Sequence, residues 1–412
     1  MKICTRKLLK KSMQNNNEWQ AAFTVIKQLE NAGFEAVVVG GAVRDSLLGR
    51  AVHDVDVATS AMPTEVKEIF TRTVDVGIQH GTVLVLAPEA PVEVTTYRTD
   101  GEYTDHRRPE AVQFVRSLAE DLKRRDFTMN AIAMRRDGTF IDYYGGREDI
   151  EACVIRAVGE AQARFAEDAL RMLRAVRFSA QLSFTIEPAT MQAMRERAAD
   201  IAWIAKERVK AEFDKLWVGK DVYNGMLKLQ ESGLVAHIPG EFEAEQWQGF
   251  CTQNAQVGWA YFALLQGKNW PEVLRSYRLS NKETSFVKAV LAAFEALKVG
   301  WTKMDYFLYS EAELGAALDF AKLQKLHVEV TQDVIRKAQA SLPIRTRNEL
   351  VVNGLDLQKW SGQKRGPWLK EALQAMLEVV VAGEVENDRQ DIKAWFERFY
   401  KEMNSLDNTF EQ

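Results

Sequence analysis

The chain has 412 residues, of which 46% are hydrophobic and 27% are charged, and its formal net charge is −4 at pH 7. These values are typical of a globular protein of roughly two to four domains. The slight negative charge argues against attraction of the whole surface to nucleic acid, but it allows a local basic groove. The three cysteines form no CxxC pair and no apolar run approaches the roughly 18 residues of a membrane span, so we expect a reduced, cytoplasmic protein without disulfides, structural zinc or a membrane-spanning helix.

The N-terminal segment is basic and then rich in asparagine, and we interpret residues 1–20 as a flexible extension. Either Met1 or Met13 is compatible with the true start of the protein. The first predicted helix runs from Ala21 to Ala32, where apolar residues recur at helical spacing, and Gly33 ends it.

A predicted buried strand, Ala36 to Val39, ends at the pair Gly40-Gly41, and a short amphipathic helix carrying Arg44 follows. Glycine leaves the backbone bare, so its N–H groups can approach a phosphate closely, and the start of the helix adds further N–H donors. The strand, turn and helix therefore indicate a phosphate-binding segment, although a lone Gly-Gly pair would be a weak signal.

The next predicted strand carries Asp54 and Asp56. Side chains alternate between the two faces of a strand, so both carboxylates share one face while Val55 and Val57 take the other. Neighbouring carboxylates repel each other unless a cation lies between them, and Mg²⁺ is bound by one or two carboxylates together with substrate phosphates. With the preceding turn, this pair predicts a metal-assisted phosphoryl or nucleotidyl transfer site, and a solvated strand face is the structural alternative.

The order strand, Gly-Gly, helix and Asp-Val-Asp resembles the nucleotidyltransferase signature of the DNA polymerase β-like superfamily, and especially its branch of tRNA nucleotidyltransferases and bacterial poly(A) polymerases. The resemblance implies Mg²⁺ at Asp54 and Asp56 and nucleotide contacts at Gly41 and Arg44. It also implies a third catalytic carboxylate on a neighbouring predicted strand, where Glu93 in VEVTTYR is the matching residue. An exposed strand glutamate is the alternative for Glu93.

A short helix is predicted from Pro63 to Phe70 and a strand from Gly77 to Leu86. The polar, glycine-containing stretch from Thr99 to Pro109 predicts a surface loop. Together with the residues that follow it, this stretch resembles the family pattern DxxYxDHRRPxxVxFV, which implies a flexible loop that helps to reset the pocket between nucleotides.

The octet RRDFTMNA, residues 124–131, matches the second motif of that family. Arg125 can grip a triphosphate through its fork of donors, and Asp126 can accept from a ribose hydroxyl. A solvated charge cluster is the alternative. A hairpin turn at Asp137 and a Gly-Gly bend in IDYYGGREDI follow, and the bend resembles the family's link between the catalytic head and the next unit.

The stretch from Arg164 to Leu182 is predicted to form one amphipathic helix. Asp168, Arg171, Arg174 and Arg177 recur at every third residue and form a stripe that winds slowly around it. A carboxylate can accept from the exocyclic amine of C or A, and a guanidinium can donate to the adjacent ring acceptors. U and G lack this edge, so such a pair can distinguish the bases.

The stripe matches the family motif EDxxRxxRAxRF, which implies that Asp168 and Arg171 select the base without a nucleic-acid template. Arg174 and Arg177 are implied as supporting nucleotide contacts. Without this context, an ordinary amphipathic helix with an Asp-Arg pair is the alternative.

From Pro188 onward only helical spacing is found, and we interpret the frequent aromatic residues as core. The sequence from Glu349 to Asn387 resembles the C-terminal module of Bacillus-type CCA-adding enzymes. Its basic turn, Gly362 to Gly366, is compatible with contact to a tRNA backbone phosphate or with an ordinary helix cap.

The resemblance extends from about Gln20 to about Lys393 and identifies the chain as a member of the class II, Bacillus-type CCA-adding tRNA nucleotidyltransferases. We therefore expect an α+β fold. It has a small mixed-sheet nucleotidyltransferase head at 21–155, followed by an all-helical neck at 156–225, body at 226–310 and tRNA-binding tail at 311–412. The implied activity is template-independent addition of C, C and A to the 3′ end of tRNA from CTP and ATP, with Mg²⁺ as cofactor and release of pyrophosphate.

Three alternatives stay open. An A-adding enzyme would share most of these motifs, and the loop at Thr99 speaks only against a CC-adding type. A poly(A) polymerase shares the head motifs, but we expect it to have a more basic tail than this acidic chain. A catalytically idle tRNA-binding protein is disfavoured by the intact motif residues. The sequence leaves open whether the protein is a monomer or a homodimer.

Overall fold

The structure, a computed structural model, describes residues 16–77, 79, 81–100 and 112–407. Most of the predicted flexible loop, from 101 onward, lies outside the described residues. The chain divides into two compact units, of which the first comprises the chain up to Gly258 together with Lys268–Arg278. The second comprises Trp259–Gly267 and the chain from Leu279 onward. Among the described residues, no helix combines the length and the apolar character needed to cross a membrane.

The first unit contains a seven-stranded sheet and two smaller strand pairs. The strands are β1 (Ala36–Val39), β2 (Val57–Thr59), β3 (Thr73–Gly77), β4 (Thr82–Leu86), β5 (Pro91–Thr96), β6 (Arg98–Asp100), β7 (Val112–Phe114), β8 (Ile132–Met134), β9 (Phe140–Asp142), β10 (Val154–Ile155) and β11 (Thr185–Ile186). The large sheet has the order β3-β4-β5-β2-β1-β8-β9. Within it β2 and β5 are parallel and the other neighbours are antiparallel, so the sheet is mixed, as predicted.

Helices cover and follow this sheet. In the first unit they are α1 (Asn17–Asn31), α2 (Gly41–Leu47), α3 (Pro63–Ile69), α4 (Leu118–Lys123), α5 (Gly146–Ala152), α6 (Ala161–Glu167), α7 (Leu170–Leu182), α8 (Pro188–Arg197), α9 (Lys206–Trp217) and α10 (Val222–Glu231). Short 3₁₀ turns lie at Thr128–Asn130, Ala198–Trp203, Leu234–His237 and Ala244–Trp247.

The chain continues as helices. α11 (Ala255–Leu265) runs from the first unit into the second, and α12 (Trp270–Ser276) belongs to the first. The second unit continues with α13 (Asn281–Leu297), α14 (Lys303–Leu308), α15 (Glu311–Leu323), α16 (Gln332–Ala340), α17 (Gly354–Ser361), α18 (Pro367–Ala382) and α19 (Arg389–Asp407). No strand follows β11 in the part of the chain that the structure describes, so the predicted α+β fold with a mixed-sheet head is confirmed.

β1 lies inside the sheet, and all four of its residues are buried. Val37 and Val39 pack in one cluster with Ala58 of β2 and with Leu118 and Leu122 of α4. Burial of these side chains removes apolar surface from water and fixes the strand between its neighbours. The glycine turn that follows β1 therefore starts from a rigid base.

Helix α1 begins at Asn17, so the predicted flexible extension ends earlier than residue 20. The Asn16 side chain accepts a hydrogen bond from the Trp19 N–H and caps the helix, and Trp19 is only 2% exposed. The asparagine-rich composition predicts flexibility, but one of these asparagines supplies the helix cap.

Two predicted strands have different bounds in the structure. β2 begins at Val57, so Asp54 and Asp56 precede the strand that was expected to carry them. The alternation still holds, because Val55 is buried and both aspartates are exposed, and the Asp56 carbonyl accepts from the Val39 N–H at 3.2 Å. The predicted strand from Gly77 to Leu86 is the end of β3 and the whole of β4, which pair as antiparallel neighbours.

The predicted single helix from Arg164 to Leu182 is interrupted at Asp168. The backbone there is extended, with φ −145° and ψ 102°, between α6 and α7. The Asp168 side chain accepts from the Leu170 N–H at 3.1 Å, which is the behaviour of a capping residue and favours a new helix start. Asp168 therefore lies at the junction of two helices, and only the three arginines of the stripe lie on α7.

Gly146 provides a test of the packing that holds the RRDFTMNA octet. A Cβ added at Gly146 would lie 2.1 Å from the Thr128 carbonyl oxygen, so the backbone would have to move. We expect Gly146→Ala to lower the free energy of unfolding by about 2 kcal/mol or more, measured by urea denaturation. Gly77→Ala is the control, because the nearest atom to its added Cβ is 3.7 Å away. Equal stability of the two variants would contradict this packing.

Candidate active site

The turn after β1 faces two guanidinium groups. Gly40 has φ 72°, a left-handed conformation that favours glycine. A Cβ on Gly40 would lie 3.1 Å from Arg125 Nη1, and one on Gly41 would lie 3.7 Å from Arg44 Nη2. The bare backbone of this turn therefore lies next to two of the predicted nucleotide-binding arginines.

Of the three predicted catalytic carboxylates, Asp54 and Glu93 both lie near enough to Asp56 to act on its charge. The parallel register pairs Val57 of β2 with Val94 of β5, which places Glu93 beside Asp56. The Asp56 side chain reaches solvent, yet neighbouring protein encloses it, and this desolvation is the main cause that raises its pKa. Glu93 and Asp54 raise the pKa of Asp56 further, whereas Arg125 lowers it. Negative charge is thus concentrated beside Arg125 of the octet.

The chemistry of these carboxylates suits a divalent cation. Carboxylate oxygens are the ligands that Mg²⁺ prefers, and a cation would relieve the repulsion between the acidic groups. Over the described ranges, no three His, Cys, Asp or Glu side chains are grouped closely enough to hold a metal ion. The carboxylates therefore fit as part of a metal's ligands, with a substrate phosphate needed to supply others.

Arg125 is held by the buried carboxylate of Asp121 on α4. Arg125 Nη2 donates to Asp121 at 3.1 Å, and Arg124 donates to the same carboxylate at 2.7 Å. Burial by itself would raise the pKa of Asp121, but the guanidinium groups of Arg125 and Arg124 outweigh it and hold this pKa below its usual value. Arg125 Nε is buried and meets no hydrogen-bond acceptor among the described residues. Arg125 Nη1 is the atom beside Gly40, and a guanidinium with an unsatisfied donor next to this turn suits an anionic ligand.

Asp126 is buried, and both of its carboxylate oxygens accept hydrogen bonds from the protein. Oδ1 accepts from Asn130 Nδ2 at 3.0 Å, and Oδ2 accepts from Arg174 Nε at 2.8 Å. Burial opposes ionisation of Asp126, but Arg174 and these hydrogen bonds outweigh it and hold the pKa of Asp126 well below its usual range. The carboxylate thus anchors α7 to the octet. The Phe127 N–H also donates to Oδ1 at 2.8 Å, and Arg174 Nη2 lies 2.6 Å from Oδ2, so the protein already engages the roughly four lone-pair sites of this carboxylate. The predicted contact with a ribose hydroxyl would have to displace one of these donors.

Arg44 is 8% exposed, and its donors bind protein acceptors. Arg44 Nε and Nη2 donate to the Asp45 carboxylate at 3.0 and 2.9 Å, and Nη1 donates to Asn130 Oδ1 at 2.7 Å. Its guanidinium lies 4.9 Å from the centre of the Phe178 ring, which Arg174 and Arg177 approach to 5.6 and 3.9 Å. Because the face of an aromatic ring attracts cations, Phe178 gathers three of the predicted nucleotide-binding arginines.

The predicted base-selecting pair is held in place by neighbouring residues. Asp168 Oδ2 accepts from Arg208 Nη2 at 2.7 Å, while Oδ1 is bound by the backbone. Arg171 is 8% exposed and donates to Glu167 at 2.6 Å and to the Arg124 carbonyl oxygen at 2.9 Å. Both side chains are therefore positioned by the protein itself.

Glu212 of α9 provides the counter-charge for two arginines of the stripe. Arg177 Nε lies 2.9 Å from Glu212 Oε2, and Arg174 Nη1 lies 3.9 Å from Oε1 of the same residue. Burial is the main cause that lowers the pKa of Arg177 to about 10, and Glu212 opposes this effect. Arg177 therefore stays protonated near neutral pH, as a contact to an anionic nucleotide requires.

Arg208 and Glu212 are the residues that sequence reasoning missed. They lie four positions apart on α9, so they share one face of that helix. The sequence KERVKAEFDKLW resembles an ordinary solvated helix face, and no sequence pattern relates α9 to α7. One sequence signal was available. Arg208 and Glu212 carry opposite charges at helical spacing, and each is followed by an apolar residue, Val209 or Phe213, that is fully buried.

Three protein-family models match the chain. The model described as Poly A polymerase head domain matches residues 36–156, which include the turn, the three carboxylates and the octet. The model described as "Probable RNA and SrmB- binding site of polymerase A" matches residues 183–244, and the model for tRNA nucleotidyltransferase domain 2 matches residues 250–396.

The CCA-adding enzyme of Geobacillus thermodenitrificans is 46% identical over 391 residues, which cover 92% of this chain and 96% of the relative. This chain belongs to the family of CCA-adding enzymes. The CCA-adding enzyme of Geobacillus stearothermophilus is 45% identical over 392 residues with the same coverage. A crystal structure of the Bacillus stearothermophilus CCA-adding enzyme in complex with CTP matches with a TM-score of 0.85 at 41% identity, covering 94% of this chain and 99% of that one. The predicted family and activity, those of a CCA tRNA nucleotidyltransferase, are confirmed.

The ion pair of Asp126 predicts a specific dependence of stability on pH. Because the pKa of Asp126 is lowered in the folded enzyme, its contribution is fully present above the unfolded value of about 4 and is lost as the pH falls below it. We expect Asp126→Asn to lower the free energy of unfolding by about 3 kcal/mol at pH 7. The difference between wild type and variant should shrink between about pH 4 and pH 2.

Urea denaturation across this pH range measures the effect. Asp75→Asn is the matched control, because the Asp75 carboxylate is exposed and pairs with Lys67 at the surface. A constant difference between wild type and Asp126→Asn at every pH would contradict the assignment.

Proposed function

We propose that this CCA-adding enzyme extends the 3′ end of tRNA by C, C and A from CTP and ATP, with Asp54, Asp56 and Glu93 at the reacting centre. The observation that supports this proposal is that three acidic groups lie together beside Arg125, which itself borders a bare glycine turn. Acidic groups next to a phosphate-binding arginine suit the transfer of a nucleotidyl group from a triphosphate to a hydroxyl.

The triphosphate would lie against the Gly40-Gly41 turn and Arg125. Arg125 brings an unsatisfied buried donor to this place, and Asp121 prevents its guanidinium from turning away. A fork of guanidinium donors matches phosphate oxygens and balances the charge of the departing pyrophosphate. Arg125 therefore acts on the leaving group, and Arg44 supports the turn from the other side.

The carboxylates would orient the attacking tRNA 3′-hydroxyl toward the α-phosphate. We propose Mg²⁺ as the ion held by Asp54 and Asp56, and when bound it would neutralise phosphate charge and favour ionisation of the hydroxyl. Glu93 lies beside Asp56 and keeps the local potential negative, which retains a cation and repels a misplaced triphosphate. In-line attack then forms one phosphodiester bond and releases pyrophosphate.

Base choice would be made at the start of α7. Asp168 would accept from the exocyclic amine shared by C and A, and Arg171 would donate to the ring acceptors. Arg174 and Arg177 would support the nucleotide, and the Glu212 carboxylate lies 3.9 and 2.9 Å from their guanidinium nitrogens. The protein contacts that hold these side chains keep them in place before a nucleotide binds, which lowers the entropy lost on binding.

We further propose that residues 21–155 act as the head, 156–225 as the base-selecting neck, 226–310 as the body and 311–412 as the tRNA-binding tail. We also propose that tRNA, CTP and ATP are the substrates and that the enzyme acts in the cytoplasm. A homodimer is a further proposal that light scattering of the purified protein would test.

Nucleotide incorporation tests the activity directly. Purified enzyme with Mg²⁺ is given one tRNA that ends at the discriminator base and another that ends in CC, with CTP and ATP separately and together. We expect three additions to the first tRNA, one addition of A to the second, and then arrest. Growth only from the CC end would indicate an A-adding enzyme, and unlimited growth with ATP would indicate a poly(A) polymerase.

Asp54→Ala should reduce incorporation of both nucleotides by roughly a thousandfold or more, because the hydroxyl and the metal lose the same carboxylate. The change should appear in kcat, with tRNA binding in a filter assay left intact. Asp75→Ala removes an exposed carboxylate elsewhere on the head and should leave the rate unchanged. Near-normal turnover by Asp54→Ala would show that the reacting centre is assigned wrongly.

A further inference from the structure

The charges of α9 complement those at the start of α7. Arg208 reaches the Asp168 carboxylate, and Glu212, one turn further along α9, reaches the arginines of the stripe. We propose that Arg208 determines base specificity by fixing the orientation of the Asp168 carboxylate, an inference that rests on the proposed function of Asp168.

The geometry fixes the carboxylate at two points. Asp168 Oδ1 accepts from the Leu170 N–H at 3.1 Å, and Oδ2 accepts from Arg208 Nη2 at 2.7 Å. Bonds to both oxygens define the plane of the carboxylate and stop its rotation. An ionised carboxylate has about four lone-pair sites, so each oxygen keeps a lone pair for a nucleobase donor. Arg208 therefore orients the acceptor without blocking it.

A second cation nearby explains why this anchor is needed. Asp168 lies close enough to Arg174 to stabilise the charged form of that arginine. Without Arg208, the Asp168 carboxylate would be drawn toward the arginines of α7 and away from a base amine. Arg174 itself is held by Asp126, so its guanidinium stays in place while the freed carboxylate moves.

The anchor acts on only one half of the proposed base-selecting pair. Arg171 is held by Glu167 and by the Arg124 carbonyl oxygen, and these contacts do not involve Arg208. Loss of Arg208 should therefore weaken recognition of the exocyclic amine and leave recognition of the ring acceptors intact. This separation distinguishes an orienting role from a general structural one.

The experiment compares CTP with its analogue that lacks the 4-amino group, using tRNA that ends at the discriminator base. Wild type should prefer CTP, and Arg208→Met should reduce the CTP-to-analogue ratio of kcat/KM by about tenfold. Arg208→Lys keeps the charge but loses the planar fork and should show a smaller reduction. Glu207→Gln is the matched control on the same helix, because Glu207 is exposed and pairs with Arg278, and its ratio should equal that of wild type.

An unchanged ratio in Arg208→Met would overturn the inference, even if the overall rate fell. Tighter CTP binding with an unchanged ratio would also overturn it, since Arg208 would then be a competitor of the nucleotide. Circular dichroism checks the fold, and if Arg208→Met does not fold, the ratio of Arg208→Lys decides in the same way.

The variant Asp168→Ala separates this inference from the proposed function. Its ratio should be as low as that of Arg208→Met, and adding Arg208→Met to it should cause no further change. If Asp168→Ala keeps the wild-type ratio, the role proposed for Asp168 fails. If only Arg208→Met keeps it, the role of Asp168 stands and that of Arg208 fails.

Discussion

The ion pair between the buried Asp126 carboxylate and the half-buried Arg174 guanidinium is the contact on which the geometry of the site depends. Asp126 directly follows Arg125, which borders the glycine turn, and Arg174 lies one helical turn after Arg171. Separating the pair would leave the buried Asp126 carboxylate without its counter-charge, so the two elements are held as one piece. The pair thus sets the distance between the proposed triphosphate contacts and the proposed base contacts. A site that selects bases without a template requires such a fixed distance.

Acidic residues that are buried or half-buried explain how an acidic chain builds an anion-binding site. Asp121 and Asp126 bind arginines of the octet and of α7, and Glu167 and Glu212 bind others of the stripe. Each carboxylate holds an arginine in one orientation and offsets part of the energy of burying it. The net charge of the chain therefore says little about its ability to bind a nucleotide. What matters is the direction in which the remaining donors point.

Sequence reasoning succeeded where the signal was local. The buried strand, the glycine turn and the alternation around Asp56 are properties of a few consecutive residues, and the structure reproduces them. It failed where a single residue changed the local preference, as at Asp168, whose side chain accepts from the Leu170 N–H at the start of a new helix. The partners of the stripe could not be predicted, because Arg208 meets Asp168 only through packing of α9 on α7. The proximity of Glu93 to Asp56 depends on a parallel register that no local pattern fixes.

The separate supports of the two proposed base-reading residues make base choice depend on helix packing. Asp168 is fixed from α9, whereas Arg171 is fixed from α6 and the head, so their spacing follows the position of α9 against α7. That position is set by a core in which Phe213 and Trp217 of α9 are fully buried and stacked. Interiors are close-packed, so a changed core volume shifts a helix rather than being absorbed. Hydrogen bonds tolerate only a few tenths of an ångström. Under the roles proposed for Asp168 and Arg171, residues of this core therefore share control of which base is added.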